Sequence, residues 1–114
     1  MGFGKHYRRE INSISKNTVW LLDTGSSKYE GGEDVCEING GYVFAGNIET
    51  AVSNEHDIYL VYTDLNGNIT KTKTLSLPGD QWVKGIEYDK GWLYLAASDN
   101  SKGDYNFLTI KTLP

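Results

Sequence analysis

Two stretches of the chain read as four short β-strands joined by tight turns: DVCEINGGYVFAGN at residues 34–47 and DIYLVYTDLNGNITKTKTL at residues 57–75. Both are rich in aromatic and β-branched residues, which fit a pleated sheet, and both contain Asn-Gly, the strongest short signal for a hairpin turn. We predict strands at about Asp34–Ile38, Gly41–Gly46, Asp57–Thr63 and Asn68–Leu75. The second and third are apolar on both faces, as in covered strands, whereas the fourth alternates Thr and Lys like a solvated edge.

Further along, the chain repeats this pattern. Three alignments carry the repeat: Asp34–Asn47 with Lys84–Ala97 at an offset of 50 residues, Asp57–Asp64 with Asp104–Lys111 at 47, and Asn17–Thr24 with Asn68–Leu75 at 51. Few positions are identical, but the blocks keep the same order and their offsets differ only by the length of a loop. The sequence therefore predicts an internal repeat of about 50 residues.

A four-stranded meander with buried inner strands and a solvated outer strand, repeated at this length, is typical of a β-propeller blade. We expect an all-β fold of two four-stranded antiparallel meander blades in one domain, residues 1–114. Blade one takes residues 34–75, and blade two takes residues 81–114 but ends before its outer strand. Residues 1–16 are an N-terminal extension, and a surplus outer strand at residues 17–24 is expected to complete the last blade.

The pattern N-G-G-Y-V-x-A-G followed by D-x-Y-L-V-x-x-D-x-N-G-N resembles bacterial β-propeller repeats of the lipoprotein and surface-protein type. The Gly40-Gly41 doublet before a Tyr-rich strand is a more distant likeness to kelch blades. The resemblance covers residues 17–114 and implies a ring that is closed by pairing an N-terminal outer strand with C-terminal strands. Because a ring typically has about 4–8 blades, we expect a homo-oligomer of two to four chains or a longer propeller of which this chain is part.

Composition excludes several classes of function. The formal net charge of −4 argues against nucleic-acid binding, and no apolar run is long enough to span a membrane. A single cysteine, Cys36, cannot form a disulfide framework within the chain, and His6 and His56 lack the spacing of a zinc site, so neither a metal nor a cofactor is expected. The N-terminal residues lack the apolar core of a signal peptide, yet repeats of the resembled type are often exported, so the compartment stays open.

Aromatic side chains are the remaining candidates for a binding site. Trp82 follows Pro78-Gly79-Asp80-Gln81 in a predicted loop and is the first candidate for ligand binding, and Tyr29 and Tyr88 are further candidates. Trp20 and Trp92 lie in or beside apolar strands and are expected in the core. These features favour a non-enzymatic binding or scaffold module for a protein or a glycan; a purely structural role without a ligand is also open.

A different class of function is suggested by Leu21-Leu22-Asp23-Thr24-Gly25-Ser26, which resembles the active-site loop of aspartic peptidases. In that family two such loops bring two aspartates together, so a homodimer using Asp23 is the alternative. The family also has a later apolar-apolar-Gly segment followed by a short helix, and Trp82-Val83-Lys84-Gly85 matches it only in part. The repeat explains Asp23-Thr24-Gly25 more simply, as the end of an outer strand.

Overall fold

The computed structural model describes residues 5–8, 22–25, 30–52 and 55–114. Every regular element in these ranges is a β-strand, and no helix occurs in them, so the predicted all-β class is confirmed. The strands are β1 (Lys5–Arg8), β2 (Leu22–Gly25), β3 (Glu30–Ile38), β4 (Gly41–Glu49), β5 (His56–Asp64), β6 (Ile69–Leu75), β7 (Gln81–Asp89), β8 (Trp92–Asp99) and β9 (Asn106–Thr112).

These strands form antiparallel sheets. The first sheet has the order β3-β4-β5-β6, and the second has the order β7-β8-β9, so each sheet is a meander in chain order. The four strands predicted in residues 34–75 correspond to β3–β6, and the largest change is at β3, which begins at Glu30 rather than Asp34. Neither sheet closes on itself within the described ranges.

The N-terminal strand has a different partner from the one expected. Its described part, Leu22–Gly25, pairs with Lys5–Arg8 in a separate two-stranded sheet, while β9 pairs only with β8 among the described strands. Completion of the second sheet by residues 17–24 is therefore not confirmed for this part of the strand. Trp20 and Tyr29 lie outside the described residues.

The hairpins β3–β4 and β7–β8 share the length of the turn, the conformation of its glycine and the position of a β-bulge, although Lys90 has a positive φ and Asn39 does not. Each closes on a two-residue turn, Asn39-Gly40 in one and Lys90-Gly91 in the other, whose glycine has a positive φ of 80° or 88°. Each first strand also carries a β-bulge three pairs from the far end of the ladder, at Glu33 in β3 and at Lys84 in β7. A bulge adds one residue to one strand and is a specific feature of a sheet rather than an accident of it.

Matching turns and bulges relate positions that are 51 residues apart: Ile38 corresponds to Asp89, and Gly41 corresponds to Trp92. The sequence alignment at an offset of 50 residues, which placed Gly41 opposite Gly91, is therefore wrong by one residue. The physical reason is that the positive φ belongs to Gly40 and Gly91, whereas the alignment matched glycines without regard to their conformation.

One hydrophobic core lies between the two sheets. It is formed by fully or nearly fully buried side chains of both: Val43, Ala45, Ile58, Leu60, Tyr62, Val83, Ile86, Leu93, Leu95 and Ala97. Strand β7 lies against β3, β4 and β5, and the backbone N–H of Ile86 donates to Asp34 Oδ2 across the gap at 3.0 Å. Burial of these side chains is the main source of stability that the fold offers.

The two sheets pack front to back, which means that each buries in the shared core the face that corresponds to the other sheet's outward face. Val43 points into the core, but the corresponding residue, Tyr94, lies between the buried Leu93 and Leu95 and so points to the far side of the second sheet. Conversely, Leu93 points into the core, and the corresponding residue, Tyr42, points to the far side of the first sheet. Corresponding positions therefore face in the same direction in both sheets, and the two sheets bury opposite faces. A face-to-face sandwich would bury corresponding faces.

Candidate functional site

A buried carboxylate lies where the two sheets meet at one end. Asp80 immediately precedes β7 and is 5% exposed. Its Oδ1 accepts hydrogen bonds from the backbone N–H of His56 at 2.7 Å and lies 2.9 Å from His56 Nδ1. Its Oδ2 accepts from Trp82 Nε1 at 2.8 Å and from the Tyr105 hydroxyl at 2.6 Å. We call these four residues the Asp80 cluster.

The Asp80 cluster joins three separate segments of the chain. His56 begins β5 of the first sheet, Trp82 lies in β7 of the second, and Tyr105 directly precedes β9. Asn100 fixes the backbone of Asp80, because its Oδ1 accepts from the Asp80 N–H at 2.6 Å and its own N–H donates to the Asp80 carbonyl at 3.1 Å. The backbone of Asp80 is thus held independently of the hydrogen bonds that its carboxylate accepts.

Electrostatics match this geometry. Burial by itself would raise the pKa of Asp80, but hydrogen bonds from Tyr105, His56 and Trp82 outweigh it and lower the pKa below its ordinary value. The same hydrogen bond to Asp80 raises the pKa of the Tyr105 hydroxyl. With Asp80 ionised, His56 Nδ1 must carry a proton to donate to it, which fixes the orientation of the imidazole.

The ring of His56 also contacts the indole of Trp82, with 4.2 Å between the ring centroids. Trp82 lies inside β7 and not in a loop, because the Pro78-Gly79 turn ends just before Gln81 and the strand begins there. It is half-buried, and its N–H is already used by Asp80. Tyr88 is half-buried and packs against the core, so its ring supports the fold. A ligand role for these two residues, and for Tyr29, stays a prediction.

A second polar network reinforces the same end of the molecule. The buried Asn47 of β4 donates through Nδ2 to the Gln81 carbonyl at 2.7 Å and accepts at Oδ1 from the Val83 N–H at 3.3 Å. Gln81 is fully buried and donates through Nε2 to the Pro78 carbonyl and to Asp99 Oδ1. Asn47 thereby binds the edge of β7 as a neighbouring strand would, and it ties the first sheet to the second.

The exposed aromatic surface differs from the one expected. Trp92 was expected in the core but is 37% exposed on the far side of the second sheet, where Lys111 Nζ lies 4.7 Å from its ring centroid. Phe107 is 86% exposed, and Tyr105 is 57% exposed although its hydroxyl is bound by Asp80. Alternation along β8 puts Trp92 opposite to Leu93, and apolar character alone does not identify which face of the sheet is covered.

The other motifs take structural roles. Asp64 Oδ1 accepts from the backbone N–H groups of Asn66 and Asn68, which makes the Asp64–Asn68 segment a closed hairpin turn. Cys36 is half-buried beside the core, and burial raises the pKa of its thiol. Within the described ranges, no group of three or more His, Cys, Asp or Glu side chains is placed to hold a metal ion. No helix in those ranges is long and apolar enough to cross a membrane.

The described parts of the segments that suggested a peptidase lie in strands. Asp23 is in β2, where its backbone pairs with Tyr7. Trp82-Val83-Lys84-Gly85 lies inside β7, which runs on to Asp89 and turns into β8, so a strand follows this segment where the peptidase family has a helix. The described residues therefore do not contain the short helix that follows the apolar-apolar-Gly segment in that peptidase family.

Sequence reasoning missed most of the Asp80 cluster. His56 has no nearby histidine at the spacing of a zinc site, and the Pro78-Gly79 signal predicts a loop at Asp80. The two lie 24 residues apart in sequence and meet where one sheet packs against the other. The only local signal was the tryptophan two residues after Asp80. Comparison with known proteins adds no further guidance, since no family model, curated protein or solved structure matches the chain.

Proposed function

We propose that this chain is a β-propeller-type module that binds or scaffolds a protein or a glycan without catalysing a reaction. The observation that supports it best is the front-to-back packing of two meanders whose turns and bulges correspond at 51 residues. Propeller blades stack in this way around a ring, each presenting its front to the back of the next. In this interpretation the two sheets are successive blades and the sequence repeat is a blade repeat.

Front-to-back packing leaves a surface to be filled. When the front of one sheet packs on the back of a similar sheet, one front and one back stay uncovered at the two ends of the pair. Further units are therefore needed to complete a ring. The second sheet has three strands where the first has four, and the outer edge of β9 has no partner among the described strands. We propose that the ring is completed by further copies of this chain, two to four in all, or by further blades of a longer chain.

The ligand is proposed to bind at the Asp80 cluster. Tyr105 combines an exposed ring with a hydroxyl fixed to a buried carboxylate, so the ring is rigid before a ligand arrives. Rigid aromatic rings bind apolar faces of sugars or side chains at low cost in conformational entropy. The half-buried Trp82 lies beside it through their shared acceptor, Asp80.

A screen of immobilised oligosaccharides and of candidate protein partners tests this proposal. Tyr105→Ala removes the exposed ring and is expected to abolish binding, whereas Tyr105→Phe keeps the ring and is expected to bind more weakly but measurably. Trp82→Ala is expected to lose binding as well, and Trp82→Phe separates the loss of the ring from the loss of its N–H. Phe107→Ala, which removes an exposed ring outside the cluster, serves as the matched control. Equal binding by all variants would rule out this site.

A further inference from the structure

The chain contains two Asn-Gly pairs, both in hairpin turns. Asn39-Gly40 joins β3 to β4, and Asn66-Gly67 lies in the turn between β5 and β6. At such a pair the backbone nitrogen of the glycine can attack the asparagine side chain, because glycine has no Cβ to hinder the approach. The surroundings of each turn decide whether this reaction can take place in the folded protein.

The Asn66-Gly67 turn is restrained by Asp64. Asp64 Oδ1 accepts from the backbone N–H of Asn66 and from that of Asn68, each at 2.9 Å. The N–H of Gly67 donates to the Asp64 carbonyl at 3.2 Å, and Gly67 is buried. The nitrogen that would have to attack is therefore already engaged, and it is shielded from the water that must take its proton.

The Asn39-Gly40 turn lacks comparable restraints among the described residues. Both residues are exposed, and no hydrogen bond joins the Asn39 side chain or the Gly40 N–H to another residue in the described ranges. Apart from Gly40 itself and its two chain neighbours, no heavy atom lies within 4 Å of the position that a Cβ of residue 40 would take. The attacking nitrogen and the side chain are both open to water.

We propose that Asn39 is a site of spontaneous deamidation in the folded protein. The Gly40 nitrogen forms a bond to Asn39 Cγ and gives its proton to water, the Cγ–Nδ2 bond breaks, and ammonia leaves, which produces a succinimide. A water molecule then opens the ring at either carbonyl and leaves aspartate or isoaspartate at position 39. No oxidant, reductant or cofactor is consumed.

The modification would change the hairpin in two ways. It adds a negative charge to a chain whose formal net charge is already −4. The isoaspartate product also adds a methylene group to the backbone of a two-residue turn, and the length of that turn sets the register of β3 against β4.

Peptide mapping by mass spectrometry during incubation of the folded protein at mildly alkaline pH tests the proposal, and Asn66 serves as the control within the same chain. We expect Asn39 to convert about tenfold faster than Asn66. This factor corresponds to the one hydrogen bond, from the Gly67 N–H to the Asp64 carbonyl, that must break before Asn66 can react. In urea the two rates should become similar, because Ile-Asn-Gly and Leu-Asn-Gly are alike once unfolded. Asp64→Ala removes the side-chain acceptor of the Asn66 and Asn68 N–H groups but keeps the Asp64 carbonyl that binds the Gly67 N–H, so it should accelerate Asn66 only by loosening the turn and should leave Asn39 unchanged. Equal rates in the folded protein, or no conversion at Asn39 while the unfolded chain converts, would overturn the proposal.

Discussion

Replacing Asp80 by asparagine tests how strongly the Asp80 cluster joins the two sheets. The substitution keeps the shape of the side chain but removes the charge and replaces one acceptor oxygen by an NH2 group. His56 N–H can keep a carbonyl acceptor at 2.7 Å, but the Trp82 N–H then faces a donor instead of Oδ2. A hydrogen bond to a charged group contributes about 1.5–3 kcal/mol, and a buried donor without an acceptor costs about 1–3 kcal/mol.

We therefore expect Asp80→Asn to lower the free energy of unfolding by about 3 kcal/mol, which corresponds to a fall in Tm of roughly 10–15 °C for a domain of this size. Urea and thermal unfolding followed by tryptophan fluorescence measure it. Asp104→Asn changes an exposed carboxylate for which no side-chain hydrogen bond is seen in the described residues, and it should stay within about 0.5 kcal/mol of the parent. Equal effects of the two substitutions would refute the reasoning.

The stability difference between the parent and Asp80→Asn should depend on pH. Since the pKa of Asp80 is lowered in the folded state, the unfolded chain binds the proton more readily. The stabilisation by Asp80 is then fully present above the ordinary carboxyl pKa of about 3.9 and is lost as the pH falls through the lower, folded-state pKa. The stability difference between the parent and Asp80→Asn should be constant near neutral pH and should shrink in acid. A difference that grows in acid would contradict this sign.

Three further substitutions give simple expectations. Lys90 has a φ of 51°, a conformation that costs a non-glycine residue about 1–2 kcal/mol. Lys90→Gly should remove this cost but adds the larger chain entropy of glycine in the unfolded state, so we expect the free energy of unfolding to rise by up to about 1 kcal/mol. Unchanged stability would argue against strain at the turn. Gly41→Ala places a Cβ on the Thr63 carbonyl of the neighbouring strand and should destabilise by more than about 2 kcal/mol in urea unfolding, where a neutral result would contradict the β4–β5 register. When a denatured protein substrate is incubated at acid pH with the parent chain or with Asp23→Asn, the two should show no difference in cleavage. Cleavage by the parent that Asp23→Asn abolishes would restore the peptidase alternative.

The strands were predictable because their ends carry local signals. Asn66-Gly67 and Gly40 mark turns through residue types that tolerate a positive φ, and the Thr-Lys alternation of β6 marks a solvated edge. The offset between the two hairpins was wrong by one residue because residue identity does not report conformation: the turn glycine with a positive φ is Gly40 and not Gly41, and its counterpart is Gly91.

The site was less predictable than the strands. Trp82 looked like a loop residue because Pro78-Gly79 is a turn signal, and no local rule says that the strand begins directly after it. The contact of His56 with Asp80 depends on the packing of one sheet against another, which is a property of the tertiary fold. The exposure of Trp92 depends on which face of the second sheet is covered, and an apolar strand carries that information only weakly.

The native mass in solution, measured by light scattering on a sizing column, tests the central claim most directly. Front-to-back sheets that leave one face of each sheet outside the shared core, and the outer edge of β9 without a partner among the described strands, predict a single species of two to four chains. A monomer that stays monodisperse at high concentration would contradict the assembled ring.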